Sequence, residues 1–505
     1  MPTTPPHPIL TQHFNNSRTA LAKIDEEVAA LRESIRALLA FRNTFTPAYR
    51  LPPEVLTHIF SYIQQATLHF YDPSSRNKAP RCLRASQVSQ HWRNVALGSP
   101  GLWSCIYNTY PKCILEMWLE RSKCAPLSVE LLLTSSSDVS FVSSSLFRTR
   151  SLTVRHREST PWNADLPDLA FPAPLLESLV LDADHRWSSR SVSVIPDNIF
   201  AGIVPALRHL EVAGCAVNPN SCIFADLTSL ILKNSNLSGE LTSTDLLGIL
   251  RRLPRLISLV LSGVLRSDSL APLNVEKIAL SSLQSLSISG SALDQDLGIL
   301  SNLSFPATAT LDFHSFTRSG DVVTALSDFL SANKAARQPS LDDILVDRIH
   351  LEHFHTTISL HMNVGCKEPG HITDLMKFQL GGPWHHTLEL PDTPEAETII
   401  SYLPLDALRS FETNFVLGVG IWTNAFRRAT VLKEVAVVGY RAESILEAIV
   451  DDFKPEDQLW TNRRIRRLQG ERERRERVVA AGVRKKGRRK RPGLSLSYGI
   501  RSYQA

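Results

Sequence analysis

The sequence predicts an α/β protein with a helical front end and a long repetitive rear. Three observations carry this reading. Apolar residues between positions 21 and 38 recur at helical spacing. Residues 50–107 read as two further helices and a short segment closed by tryptophan. From Leu176 onward, short leucine-rich strands start at intervals of 31, 20, 29 and 27 residues. At 505 residues the chain is too long for one compact core, so it needs several domains or one long stack.

Composition narrows the class. Hydrophobic residues make up 43% and charged residues 21%, an ordinary globular balance. Met1 to Pro8 is Pro/Thr-rich and lacks the basic start and apolar stretch of a secretion signal. Residues 1–17 are expected to be disordered. No run of about 18 apolar residues occurs, so no membrane partner is expected. The longest apolar segments, such as Phe415 to Trp422, are strand-sized. The seven cysteines, Cys82, Cys105, Cys113, Cys124, Cys215, Cys222 and Cys366, are odd in number and lack C-x-x-C spacing. They imply reduced thiols, buried as small apolar groups, in a cytoplasmic or nuclear protein.

The net charge of +5 misleads, because Arg463 to Arg491 alone carries 15 Lys/Arg against 3 Asp/Glu. The remainder holds 40 basic and 47 acidic residues, so the body is negative. A whole-protein nucleic-acid binder spreads its positive charge over a folded face, so nucleic acid is not the expected partner here.

The first element is a helix over residues 18–45. Leu21, Ile24, Val28, Leu31, Ile35 and Leu38 step by 3, 4, 3, 4 and 3, an a/d spacing held for three heptads. Asp25, Glu26, Glu27, Arg32, Glu33 and Arg36 occupy the other faces. Two readings stay open: self-association of two chains through the 18–45 helix, or a helix that lays its seam on its own neighbour.

The second element is more specific. Leu51-Pro52-Pro53-Glu54 opens a helix, with proline in the first turn, where a missing N–H costs nothing, and an acid near the positive end of the dipole. Val55, Leu56, Ile59, Phe60 and Ile63 share an apolar face. Gln64 to Arg81 reads as a loop. A second helix runs from Leu83 to Leu97, with Val88, Trp92, Val95 and Ala96 on its apolar stripe; Gly98-Ser99-Pro100-Gly101 breaks it, and Leu102-Trp103 follows.

This order resembles the F-box: Leu51-Pro52-Pro53-Glu54-Val55-Leu56-Thr57-His58-Ile59-Phe60, then Val88-Ser89-Gln90-His91-Trp92-Arg93, then Leu102-Trp103. The continuation from Leu115 to Ser122, ending in Pro126-Leu127-Ser128-Val129, is similar to the F-box proteins abundant in mushroom-forming fungi. Two departures stand out: a long interval between the first two helices, and Ser89 where a Cys is common. The resemblance implies a three-helix F-box over residues 50–107 that docks on a Skp-type adaptor and, through it, a cullin complex. It implies apolar burial rather than catalysis, with Leu51, Pro52, Leu56, Ile59, Val88 and Trp103 as the expected adaptor contacts. Phe60 and Trp92 are candidates for the module's own core.

The third element is repetitive. Leu207-Arg208-His209-Leu210-Glu211-Val212, with Cys215 and Val217, follows the leucine-rich-repeat form L-x-x-L-x-L-x-x-N/C-x-L. Leu227, Leu230, Leu232, Ser235 and Leu237 repeat it, as do Leu283, Leu286, Ile288, Ser291 and Leu293. Leu176-Glu177-Ser178-Leu179-Val180-Leu181 and Leu256 to Leu261 carry the front half; weaker copies start near Leu341, Leu375, Leu408 and Leu432. Return segments such as Thr244 to Leu253 and Asp321 to Lys334 read as helix. One repeat cannot bury its apolar edge alone, so the copies must stack. Residues 112–453 are therefore expected to form an irregular leucine-rich-repeat solenoid whose concave face, with Arg208, Glu211, Ser258 and Ser287 alternating outward, holds a protein target of unknown identity. An ordinary mixed α/β domain with leucine-rich strands is the alternative.

Motifs for catalysis are missing: no G-x-x-x-x-G-K-[ST], G-x-S-x-G or H-E-x-x-H occurs. Gly418-Val419-Gly420 lacks the third glycine of a dinucleotide loop. His350, His353, His355, His361, Cys366 and His371 follow no common zinc spacing. Asp342-Asp343 and Asp451-Asp452 read as solvated carboxylates. No cofactor, metal or enzymatic activity is expected. Residues 463–505 read as a basic, self-repelling disordered tail, with nuclear import as the second reading. Together the elements point to a substrate-recognition subunit of a Skp–cullin–F-box ubiquitin ligase. A non-catalytic leucine-rich-repeat scaffold, nuclear and nucleic-acid-associated through its tail, is the alternative.

Overall fold

The computed structural model describes residues 17–68, 81–133, 140–156, 169–183, 193–233, 242–264, 277–290, 292–317, 322–338, 346–354, 357–365, 372–382, 389–390, 394–413, 416–429, 431–432 and 434–437. The basic tail, the Asp342-Asp343 and Asp451-Asp452 pairs and residues 1–16 lie outside them. The chain divides into two compact units, Met1–Leu227 and Thr228–Ala505.

The first unit opens with α1 (Ser17–Thr44), which covers the heptad segment and buries none of its residues. A 3₁₀ turn at Pro47–Arg50 leads into α2 (Pro53–Leu68), which begins on proline as expected and runs five residues into the interval read as loop. The helix read over Leu83–Leu97 is two helices, α3 (Arg81–Ala85) and α4 (Gln90–Leu97). The break has a local cause. Ser89 is extended, and its hydroxyl accepts from the Trp92 N–H at 3.1 Å, capping α4. The Arg93 Nε donates to the Ser86 carbonyl at 3.1 Å across the break. A 3₁₀ turn at Pro100–Trp103 closes the helical part.

Strands then begin. They are β1 (Cys105–Tyr107), β2 (Leu127–Leu133), β3 (Thr149–His156), β4 (Ser178–Asp182), β5 (Ser193–Val194), β6 (His209–Ala213) and β7 (Cys215–Ala216), with α5 (Lys112–Ser122) and α6 (Ser140–Ser145) between them. Strands β1, β2, β3, β4 and β6 lie side by side in that order, all parallel, and β5 pairs with β7. Leu152, Leu179 and Leu210 fall in one register row, and Val154, Leu181 and Val212 in the next, all buried. This is the period-two alternation that the leucine spacing encodes. Because β1 joins this sheet, the helical module does not end as a free-standing domain at residue 107.

In the second unit the strands are β8 (Ser229–Lys233), β9 (Ser258–Ser262), β10 (Ile278–Ala279), β11 (Ser285–Ser289), β12 (Leu303–Pro306), β13 (Thr310–Phe316), β14 (Arg337–Gln338), β15 (Val346–Phe354), β16 (Thr357–Gly365), β17 (Ile372–Gly381), β18 (Glu389–Leu390), β19 (Ser410–Thr413), β20 (Val416–Leu417) and β21 (Glu434–Val437). The helices are α7 (Ser243–Arg251), α8 (Leu293–Ser301), α9 (Val322–Ala336), α10 (Pro394–Tyr402) and α11 (Val419–Arg428). Helices α7 and α9 answer to the two return segments read as helix. The main sheet runs β8-β9-β11-β13-β17-β16-β15-β19-β21, and β10-β12-β14 forms a second parallel layer. Leu230, Leu259, Leu286 and Leu311 make one buried row, and Leu232, Leu261, Ile288 and Phe313 the next. Phe313, Phe329 and Phe378 join sheet to α9, with Phe329 and Phe378 stacked at 4.0 Å between ring centroids.

The stack is not uniform. Strand β16 runs antiparallel to both β15 and β17. Only two residues separate Phe354 from Thr357, and a two-residue link can join antiparallel strands but not parallel ones. The weak repeat near Leu375 is therefore part of a meander. The Gly418-Val419-Gly420 segment caps and enters α11, so the apolar run from Phe415 to Trp422 is partly helical rather than a strand. Among the described residues no helix is long and apolar enough to cross a membrane.

Candidate functional site

The site begins as a surplus of apolar side chains on α2. A helix in a small module buries one stripe, but here the apolar residues span two adjacent ones. Leu56 and Phe60 point inward and are fully buried. Phe60 lies 5.2 Å from Trp92 between ring centroids. Val55 (43% exposed), Ile59 (37%) and Tyr62 (66%) line the neighbouring stripe in water, with Pro52 exposed just before the helix. Val88, in the turn between α3 and α4, is 60% exposed. Leu51 is half-buried beside Pro52.

A polar frame fixes these helices. The Thr57 and Ser99 hydroxyls meet at 2.9 Å, tying α2 to the turn that ends α4. The Trp103 Nε1–H donates to the Ala96 carbonyl at 2.8 Å, satisfying the one polar atom of a fully buried indole. Trp103 packs edge-on against Trp118 of α5 at 5.2 Å, and the Arg121 guanidinium lies 4.5 Å above the Trp103 ring. Tyr110 stacks on Trp118 at 6.0 Å. The tryptophan is thus a rivet between the helical module and α5.

The expected contact set accordingly divides. Pro52, Ile59 and Val88 are at the surface, and Leu51 is at its rim. Leu56 and Trp103 are fully buried and present nothing to a partner in this structure, because the core of the unit has already claimed them. Val55 and Tyr62 belong to the exposed stripe and were not in that set. Their signal was the spacing: Val55, Ile59 and Tyr62 step by four and three, as one helix face requires.

Other candidates hold less. His350 Nδ1 sits 3.3 Å from a Glu412 carboxylate oxygen, and its ring is 6.1 Å from that of His361. No group of three or more potential metal ligands forms among the described residues, and His355, Cys366 and His371 lie outside them. Five cysteines are described as free thiols. Cys215 is buried, and that burial pushes its thiol pKa far up, but Cys113 and Cys124 are exposed rather than buried as expected. Arg208, expected on the open face of the sheet, instead turns its guanidinium onto the Leu207 carbonyl at 2.8 Å and the Asp226 carbonyl at 3.4 Å.

The F-box-like family profile matches residues 48–109. This stretch runs from the 3₁₀ turn before α2 to just past β1, so the match and the helical module coincide. The chain thus carries an F-box-like domain at residues 48–109, with the exposed α2 stripe on its surface. No curated protein matches the chain.

Proposed function

We propose that this chain is a substrate-recognition subunit of a Skp–cullin–F-box ubiquitin ligase. One observation carries the reading: an F-box-like domain that keeps Pro52, Val55, Ile59, Tyr62 and Val88 in water while its own core is complete. F-box domains dock on Skp-type adaptors by burying such groups. Each large apolar side chain buried there contributes roughly 1.5–3 kcal/mol gross, enough for a stable interface after association costs. In this proposal Leu51, Pro52, Ile59 and Val88 touch the adaptor together with Val55 and Tyr62, while Leu56 and Trp103 act from inside by holding α2 and the Pro100–Trp103 turn in place.

The leucine-rich strands would hold the protein target. Their outward rows are mixed: Ser229, Ser258, Ser285 and Thr310 in one, Lys233, Ser262, Ser289 and His314 in another, with Ile231, Val260, Ser287 and Asp312 between. Such a face offers hydrogen-bonding and charged groups around a small apolar centre at Ile231 and Val260, well short of the large apolar patch that invites aggregation. The receptor role needs no catalytic group of its own, because the transferring chemistry belongs to the other ligase subunits.

The test is reconstitution of the full-length chain with a purified Skp-type adaptor. Wild type is expected to form a stable complex, and the double variant Ile59→Asp/Val88→Asp to lose at least tenfold in affinity with an unchanged melting temperature. A folded wild type that ignores the adaptor, or a double variant that binds as well as wild type, overturns the proposal.

A further inference from the structure

The heptad seam of α1 has no cover among the described residues. Leu21, Ile24, Val28, Leu31, Ile35 and Leu38 are 36% to 69% exposed, and the 28-residue helix buries no residue. The reading in which this seam lies on a neighbouring part of the chain therefore has no support in the described fold. Six large apolar groups in a row represent several kcal/mol of unrealised burial.

We propose that α1 pairs with α1 of a second copy of this chain as a parallel, in-register coiled coil. The residues at each position select this arrangement. With Leu21 at a, the a positions hold Leu21, Val28 and Ile35, and the d positions hold Ile24, Leu31 and Leu38. In the second and third heptads a β-branched residue at a (Val28, Ile35) goes with leucine at d (Leu31, Leu38), the choice that favours two parallel strands; the first, with Leu21 and Ile24, departs from it. The flanking charges agree. Glu27 falls at g and Arg32 at the following e, and in a parallel pair g of one helix lies against e of the next heptad across the seam. Glu27 of each copy therefore meets the opposite sign at position 32 of the other, twice by symmetry. The ion pair of Arg36 with Glu33 at 2.6 Å sits at b and f, away from the seam. Ser34, at g, turns its hydroxyl back onto the Ala30 carbonyl at 3.0 Å, so it brings no unpaired donor to the interface. Arg42 at the next a position ends the apolar run.

The consequence is a receptor with two docking domains. Helix α1 passes through the Pro47–Arg50 turn directly into α2, so pairing the stalks brings two F-box-like domains into one assembly. Pairing and adaptor docking use different faces, and one can fail without the other.

Sedimentation equilibrium on the full-length protein without adaptor tests the pairing. The mass is expected to rise from the 56.3 kDa of one chain toward twice that value across the micromolar range. Ile35→Asp is expected to hold it at the single-chain mass with an unchanged melting temperature and intact adaptor binding, since α1 contributes no buried residue to the fold. Glu27→Arg or Arg32→Glu alone should weaken pairing by roughly threefold to tenfold at low salt, and the two together should restore it. In a Cys113→Ser/Cys124→Ser background, Leu38→Cys should yield a 38-to-38 disulfide on mild oxidation, identified as the linked peptide by mass spectrometry. A monomer throughout the range, a dimer indifferent to Ile35→Asp, or a dimer without the 38-to-38 link each overturns the proposal.

Discussion

Near the front of the chain, Leu31, Ile35, Tyr62 and Val88 stand in water, while in the second unit a carboxylate, Asp296, and a guanidinium, Arg337, lie buried. The two regions have solved opposite problems. A short helical module has more apolar face than its own helices can cover, so part of the surplus stays outside and is available to partners. A deep stack of strands and helices has ample interior but encloses polar groups, which must then be paired within it. Asp296 accepts from the Ser315 hydroxyl at 2.5 Å, and its carboxyl occupies the space that a Cβ on Gly290 would fill. Arg337 donates through Nε to Asn333 Oδ1 at 2.9 Å and through Nη1 to the carbonyls of Ala307 and Ala309.

The largest expected effect is at Trp103, the bulkiest of the fully buried front-end side chains. Trp103→Ala removes the Trp118 contact, the Arg121 stacking and the donor to Ala96 together. A loss of about 3–5 kcal/mol is expected from urea denaturation, with adaptor binding lost only as a consequence of unfolding. If the variant keeps its stability but loses the adaptor, Trp103 is a contact after all and the contrast between core and surface fails at this point.

Next comes the buried cation. Arg337→Ala strands two carbonyls and Asn333, at roughly 1–3 kcal/mol for each unsatisfied group, but also removes the buried Nη2, which has no hydrogen-bond partner among the described residues, so a loss near the low end of that sum, about 3 kcal/mol, is expected. Burial has lowered the Arg337 pKa to about 10, which shows the cost of holding this charge inside. Arg337→Lys, which keeps charge but not the planar fork, should recover only part of the loss.

Asp296 sets the opposite sign. Burial raises its pKa from 3.8 to about 6, offset in part by the Ser315 hydrogen bond. Between these values the folded chain holds a proton that the unfolded chain has released. Stability therefore falls as pH rises through this window, and the whole penalty stands at neutral pH. Asp296→Asn removes it. A gain of roughly 2–3 kcal/mol at pH 7.5 is expected, with a flatter stability profile between pH 4 and 6. A variant as pH-sensitive as wild type in that range would show that the buried carboxylate is not its source.

Much of this was written in the sequence, and the remainder was absent for physical reasons. Heptad spacing and the Leu51-Pro52 start fix α1 and α2 because local periodicity encodes a helix, and leucines at L-x-x-L-x-L spacing fix the buried rows because strand alternation is local too. Which side of the α2 apolar face is core is decided by Trp92, on α4, and by Ser99; no spacing within α2 reports it. Trp103 read as a surface anchor because its partners, Trp118 and Arg121, follow on another helix. The meander at β15–β17 was concealed by leucines at nearly repeat pitch, although the two-residue link was visible. Asp296 lies in a Leu-Asp-Gln-Asp-Leu run that reads as exposed helix, and only the distant Ser315 and the space left by Gly290 place it inside.

The smallest expected effect is also the sharpest discriminator. Leu56 and Ile59 are both branched aliphatic residues, three positions apart on α2, and by sequence they are equivalent. Leu56→Ala should cost about 2–5 kcal/mol, because a fully buried side chain leaves a cavity. Ile59→Ala should cost less than about 1 kcal/mol, because its side chain already meets water. Affinity for the adaptor should run the other way, falling for Ile59→Ala while its melting curve barely moves. If both variants lose the same stability, Ile59 is part of the core and the exposed stripe on α2 shrinks to Val55 and Tyr62. If neither loss of stability nor loss of binding follows from Ile59→Ala, the apolar surplus on this helix is not the docking surface, and the difference drawn between the front and the rear of the chain would have to rest on α1 alone.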